Sequence, residues 1–271
     1  LYILGPLLAL LPAGLAFAVV PFGNAVSVFG QHVRLQISDA NVGVLFVVAI
    51  SSLGVYGLAI AGWASNNKYS LLGSLRASAQ LISYEIAMGL SLVSVLLVTG
   101  TVGMNEIVLQ QADRRFLGIV PGWNVFCQPL AFLLFWIAAF AENNRLPFDL
   151  PEAEPELVGG YHTEYAGMRF GIFFMGEYLA MVTMSAVTVT LFLGGWHFPG
   201  IVDAYDYGIW NALLSVLVFA GKTAVLLFVA ILIRWTLPRF RYDQLMDLGW
   251  RVMVPLALMN LILTAVFTTQ L

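Results

Sequence analysis

Long apolar runs separated by short polar stretches set the rhythm of this chain. Seven runs, at about 1–20, 42–62, 79–99, 123–140, 170–194, 209–233 and 252–270, come close to or exceed the roughly 20 residues a helix needs to cross a hydrocarbon core. None shows the two-residue alternation of a barrel strand, and lipid offers no partner to a backbone polar group outside its own segment. The pattern predicts an all-α integral membrane protein, a bundle of seven transmembrane helices forming one polytopic domain over 1–271. Between the runs, alternating Val, Phe and Leu positions in 21–41 predict a short hairpin. Asn105 is placed to cap a short amphipathic helix from Glu106 to about Phe116. No internal repeat, low-complexity tract or Gly/Ser linker divides the chain.

Composition agrees: 60% of the 271 residues are hydrophobic and 10% are charged, far below the roughly 25% charged of a soluble domain. A net charge of −3 with scattered basic residues excludes a nucleic-acid partner. The single Cys127 excludes an intrachain disulfide, and His32, His162 and His197 are too isolated for a helical metal site, so no bound metal is expected. The first run lacks a basic leader and a cleavage site and reads as a spanning helix. With Leu1 in place of an initiator Met, the numbering is expected to start inside a longer chain.

Lys and Arg orient the bundle. Alternate connections carry Lys68 and Arg76, then Arg145 and Arg169, then Arg234, Arg239, Arg241 and Arg251. The opposite connections carry only Arg34, Arg114 and Arg115. The richer side is expected to be cytoplasmic, which places the acidic loop 141–169 there. That loop, "AENNRLPFDLPEAEPELVGGYHTEYAGMRF" with the first residue of the next run, holds Glu142, Asp149, Glu152, Glu154, Glu156 and Glu164, six of the chain's 15 acidic residues. Pro147, Pro151 and Pro155 forbid one long helix there.

Ionisable side chains at membrane depth cost about 3 kcal/mol each on insertion scales and are functional candidates by default. Glu85, Glu142, Glu177 and Lys222 meet that description. Glu85 and Glu177 lie about two turns into their spans from the same side, at depths that suit one polar cavity, and coupled carboxylates exchange protons as a group. Lys222, about midway along its span, requires a carboxylate, a backbone carbonyl or water; the sequence leaves an ion pair and a proton carrier equally open. The bland alternatives are snorkelling, for Glu142 at its helix end, and a merely solvated face, for the acidic loop.

The stretch "AENNRLPFDLPEAEPELVGGYHTEYAGMRFGIFFMGEY" (141–178) resembles the signature of the quinone-cavity membrane subunits of respiratory complex I, a family known by its bacterial H subunits. "GWASNNKYSLLGSLRASAQLISYEIAMGL" (62–90) and "LPRFRYDQLMDLGWRVMVPLALMN" (237–260) extend the likeness to essentially the whole chain. That family has eight spans, and the first, with a loop carrying an amphipathic helix, has no counterpart before Leu1; the chain resembles spans two to eight. The resemblance implies a multi-pass subunit of the bacterial cytoplasmic (inner) membrane. There it would work in proton-translocating NADH:quinone oxidoreductase, with quinone, ubiquinone for instance, as substrate. FMN and iron–sulfur clusters would reside in partner subunits, and no cofactor or catalytic redox centre in this chain. Its neighbours would be the hydrophilic quinone-site subunits and antiporter-like membrane subunits.

Carried over by position, Glu85, Glu142, Asp149, Glu152, Glu154, Glu156 and Glu177 match the family's acidic funnel, and Lys222 joins the proton path as a depth candidate. Arg145, Phe148, Glu164 and Tyr165 would shape the quinone cavity and its loop. Arg234, Arg239, Arg241 and Asp243 would dock partners and anionic lipid. Relatives within the superfamily include ferredoxin- or F420-linked complexes and membrane-bound hydrogenases, which change the electron donor. The rival from another class is a stand-alone proton-coupled transporter, which often carries paired repeats that this chain lacks. A passive anchor would have no use for Glu85, Glu177 and Lys222 inside spans.

Overall fold

A computed structural model describes residues 1–28, 31–116, 120–149 and 160–269. In chain order the elements are α1 (Leu4–Phe17), the hairpin β1 (Gly23–Val28) and β2 (Gln31–Leu35), α2 (Gly43–Ala64), α3 (Lys68–Thr99) and α4 (Met104–Asp113). A two-residue pairing of β3 (Arg115–Phe116) with β4 (Val120–Pro121) leads to α5 (Asn124–Cys127) and α6 (Pro129–Glu142). A 3₁₀ turn at Gly160–His162 precedes α7 (Met168–Phe192) and α8 (Ile209–Thr236). Finally α9 (Tyr242–Asp247) runs through a π-helical turn, Leu248–Met253, into α10 (Val254–Thr269).

Five of these helical stretches are long and apolar enough to cross a membrane: Gly43–Ala64, Lys68–Thr99, Met168–Phe192, Ile209–Thr236 and Tyr242–Thr268. Leu4–Phe17 and Pro129–Glu142 are shorter apolar helices. The protein is therefore a multi-pass, all-α membrane bundle. Trp210 and Trp235 stand 81% and 80% exposed near the two ends of α8, where indole rings anchor spanning helices at the interfaces.

Helix ends depart from hydropathy where polarity and helicity separate. The apolar run begins near 79, but α3 starts at Lys68, because Asn67 accepts a hydrogen bond from the Tyr69 amide (3.1 Å) and caps it. At Gly100, φ is +67°, which ends the helix. The run from 123 is broken at Gln128, whose φ of −137° is not helical, so α6 begins at Pro129, in the first-turn position that tolerates proline. The predicted hairpin in 21–41 is present. The amphipathic helix is present too, but it starts at Met104 with Gly103 in the cap position, so Asn105 lies inside the first turn and caps nothing.

Small residues let the helices approach closely. A Cβ on Gly5 would lie 2.9 Å from that of Ala61, and one on Gly57 would lie 2.9 Å from the Ala9 nitrogen. Gly176 presses α7 onto α1 at Ala9 in the same way. Such contacts replace the hydrophobic effect, which lipid removes as a driving force between helices. Around α3 the centre holds fully buried Tyr84, Met88, Phe135 and Phe192.

One end of the bundle gathers residues near 2, 67–76, 143–149, 160–169 and 237–245. Tyr2 hydroxyl donates to the Glu164 carbonyl, Asn67 to the Glu164 carboxylate (2.9 Å), and Arg76 lies over the Tyr242 ring. Gln80, fully buried, ties this end together: its Nε2 donates to the carbonyls of Ala141 (2.9 Å) and Phe148 (2.8 Å). Gln80→Leu strands the Phe148 carbonyl, while that of Ala141 keeps the Asn144 amide (3.3 Å), and is expected to cost about 1–3 kcal/mol. The check is the thermal aggregation midpoint of the detergent-extracted chain; an unchanged midpoint would remove Gln80 from this role.

Candidate functional site

The cavity that matters lies among α1, α2, α3, α6 and α7. Its interior holds about 110 Å³, and about 890 Å³ when the open space at its mouth is counted in. Its apolar walls come from Ala9, Pro12, Val47, Leu58 and Leu81, and its polar lining from Ser51, Ser52, Glu85, Glu142, Asn143 and Glu177. Three carboxylates on three different helices thus share one space.

Each carboxylate is positioned differently. Glu85 projects from α3 and accepts from the Ser52 hydroxyl of α2. Glu142 closes the last turn of α6 beside Ser51, within electrostatic reach of Glu85. Glu177 on α7 is ion-paired with Arg145, and the two side chains are only 12% and 7% exposed. The guanidinium of Arg145 lies 5.4 Å and 4.5 Å from the ring centres of Phe174 and Tyr178, one turn apart on α7, a geometry that holds a cation in place. Arg145 reaches this position because α6 stops at Asn143 and Asn144 turns the backbone with φ +50°, a conformation that Asn tolerates better than most residues. Glu142 Oε2, Asn143 Oδ1 and Asn144 Oδ1 are buried acceptors with no hydrogen-bond donor among the described residues.

The NADH dehydrogenase family model matches residues 1–265. This chain belongs to the NADH dehydrogenase family. Among its relatives, the NADH-quinone oxidoreductase H subunit of Protochlamydia amoebophila is 50% identical over 267 residues, spanning 98% of this chain and 76% of that protein. An NADH-quinone oxidoreductase H subunit of Geobacter sulfurreducens is 48% identical over 276 residues, 98% of this chain and 74% of its own. The corresponding protein of Flavobacterium johnsoniae is 46% identical over 266 residues, 97% and 74%.

Of the residues singled out in this member of the NADH dehydrogenase family, Glu85, Glu142 and Glu177 meet in the cavity, and Arg145 joins them through Glu177. Asp149 does not line it; its carboxylate is held by Arg239 at 2.7 Å. Phe148 does not line this carboxylate cavity; it is buried between Tyr84 and Phe240, with ring centres 5.6 Å and 5.5 Å away. Glu164 and Tyr165 sit at the loop end: the Tyr165 ring stacks on Tyr2 at 4.3 Å, and the Arg169 guanidinium lies 4.9 Å from the Tyr2 ring centre. Burial, with Tyr2 adding to it and Arg169 opposing, pushes the Tyr165 hydroxyl up to about 12, so it stays protonated at physiological pH.

Arg241 and Asp243 open α9, where the Arg241 amide donates to Gln244 (3.2 Å) and Asp243 sits in the first turn; Arg234 is in the last turn of α8. Glu152, Glu154 and Glu156 lie outside the described residues. Lys222 lies apart from the three glutamates: its ammonium donates to the carbonyls of Leu193, His197 and Gly195.

Sequence reasoning passed over Ser51, Ser52, Asn143 and Gln80. The signal was present in the adjacent serines at the centre of a mostly apolar run and in the polar pair that follows Glu142. Depth alone, however, does not show which face of a helix they take.

Proposed function

We propose that this chain is the membrane subunit of a proton-translocating NADH:quinone oxidoreductase, that it forms part of the quinone-binding cavity, and that Glu85, Glu142 and Glu177 carry protons between that cavity and the membrane. The carrying observation is the convergence of three carboxylates from α3, α6 and α7 on one cavity, with Glu177 held by an arginine at the head of the acidic segment. The names of the relatives support the complex. In it, flavin and iron–sulfur clusters of partner subunits would supply two electrons to quinone.

Reduction of the quinone to quinol takes up two protons with those electrons, so charge changes at the loop end of the bundle. Arg145 is the point where such a change reaches the membrane. A negative charge arriving near the loop draws the guanidinium from Glu177, and the released carboxylate takes a proton from the cavity. Glu142 and Glu85 then exchange protons with it as a coupled set. The sequence resemblance assigns Asp149, Glu152, Glu154 and Glu156 to the same proton path. Phe148, Glu164 and Tyr165 support the loop, while Arg234, Arg239, Arg241 and Asp243 face the partner subunits and anionic lipid. The basic bias of that end supports a cytoplasmic placement in a bacterial inner membrane.

The test uses Glu177→Gln and Glu85→Gln in the assembled complex, reading quinone reduction and proton translocation separately. Both variants are expected to lower proton translocation by about a hundredfold, the low end of what a lost proton-transfer group costs. Full quinone reduction together with full translocation in both would overturn the reading.

A further inference from the structure

Lys222 occupies a built site that the carboxylate cavity does not use. It lies nearly midway between Trp210 and Trp235 on α8, close to the centre of the span those indoles bracket. Its three N–H groups go to three backbone carbonyls, Leu193 at 2.6 Å, His197 at 2.7 Å and Gly195 at 3.0 Å. The Trp123 ring centre lies 4.4 Å from the nitrogen and that of Phe198 lies 5.7 Å away.

The carbonyls converge because α7 ends at Leu193 and the next two residues, Gly194 and Gly195, take φ of +71° and +51°. Side chains are excluded there as well as strained. A Cβ on Gly194 would come within 2.4 Å of the Trp123 indole nitrogen, and one on Gly195 within 2.5 Å of a Val108 methyl. The amides of the turn are satisfied elsewhere, Gly194 on Gln111 Oε1 (3.1 Å) and Gly195 on the Val189 carbonyl (2.9 Å), so the carbonyls are left to the ammonium. The negative end of the α7 dipole adds to them.

We propose that the turn between α7 and α8 is a cradle for an ammonium-class monovalent cation, and that this chain fills it permanently with its own Lys222, which is thus a tethered counter-ion and not a member of the proton path. A neutral amine has only two donors and would turn its lone pair on a carbonyl, whereas three acceptors match –NH₃⁺. The cradle solves a problem specific to lipid, where non-helical backbone is tolerated only if its polar groups are satisfied inside the protein.

The inference does not depend on the carboxylate pathway, and its tests separate the two. In the full chain within its native complex, Lys222→Ala is expected to lower the thermal aggregation midpoint. Propylammonium chloride should restore it by replacing the missing arm. Tetramethylammonium at equal ionic strength, which has no N–H to donate, should not. Failure of propylammonium to raise the midpoint above the tetramethylammonium control would overturn the cradle.

Should Lys222→Ala not accumulate, Lys222→Arg and Lys222→Met decide the matter. Arginine keeps the charge but cannot release a proton, so Lys222→Arg is expected to accumulate and keep its proton translocation per quinone reduced, while Lys222→Met accumulates poorly. Assembled Lys222→Arg without translocation, or Lys222→Met accumulating as well as Lys222→Arg, would each overturn the proposal.

Discussion

Arg145→Ala is expected to destabilise the loop end of the bundle by about 3–5 kcal/mol, the cost of leaving one partner of a buried ion pair uncompensated. The pair qualifies on burial, at 7% and 12% exposure, so solvent does little to soften the loss. Arg145 also fills the space against Phe174 and Tyr178, and its removal takes that contact away as well. Glu177→Gln in the same background removes the stranded carboxylate. The double variant is therefore expected to be more stable than Arg145→Ala alone, a non-additivity of 0.5–3 kcal/mol being roughly what contacting residues show. Denaturant titration of the detergent-extracted chain, single and double variants side by side, measures this. Additive losses would mean that the two side chains stabilise the fold independently and that Arg145 is not the counter-ion of Glu177.

The legibility of this protein follows the range of the forces involved. Five of the seven apolar runs fall in helices long and apolar enough to cross a membrane, and two in shorter apolar helices, because burial in lipid is a property of each segment by itself; the Val/Phe/Leu alternation of 21–41 named the hairpin for the same local reason. Glu85, Glu142 and Glu177 stood out because an acid inside an apolar run is conspicuous, and the structure puts all three around one cavity. Helix ends were less legible. Asn67 caps α3 in polar sequence outside the span, so hydropathy could not see the start at Lys68. Lys222 was conspicuous, but its partners are backbone carbonyls, which carry no side-chain signature. Phe148 and Arg145 sit three residues apart in one polar loop, yet one packs into the core and the other reaches the cavity's acid, a division that loop sequence does not display.

Gly57→Ala should disturb both the fold and the proposed coupling, although it adds a single methyl group. The new Cβ would lie 2.9 Å from the Ala9 nitrogen, 2.9 Å from the Leu8 carbonyl carbon and 3.2 Å from the Gly5 carbonyl oxygen. All three are backbone atoms, so no rotamer change relieves the contact and α1 itself must move away from α2. Overpacking of this kind costs about 1–3 kcal/mol. Because Ala9, Pro12 and Ala13 of α1 line the cavity, the shift also changes the space in which the three glutamates meet. Gly54, one turn earlier on α2 and also at the cavity, has nothing within 4 Å of an added Cβ. There the same substitution should be neutral or stabilising by up to about 1 kcal/mol, since alanine is the better helix former. Thermal midpoints and proton translocation of the two variants, compared in the assembled complex, separate the wedge from the mere loss of a glycine. If Gly54→Ala and Gly57→Ala behave alike, close approach of α1 to α2 does not shape the cavity; if Gly57→Ala alone loses translocation, the position of α1 is part of how the carboxylates are held in register.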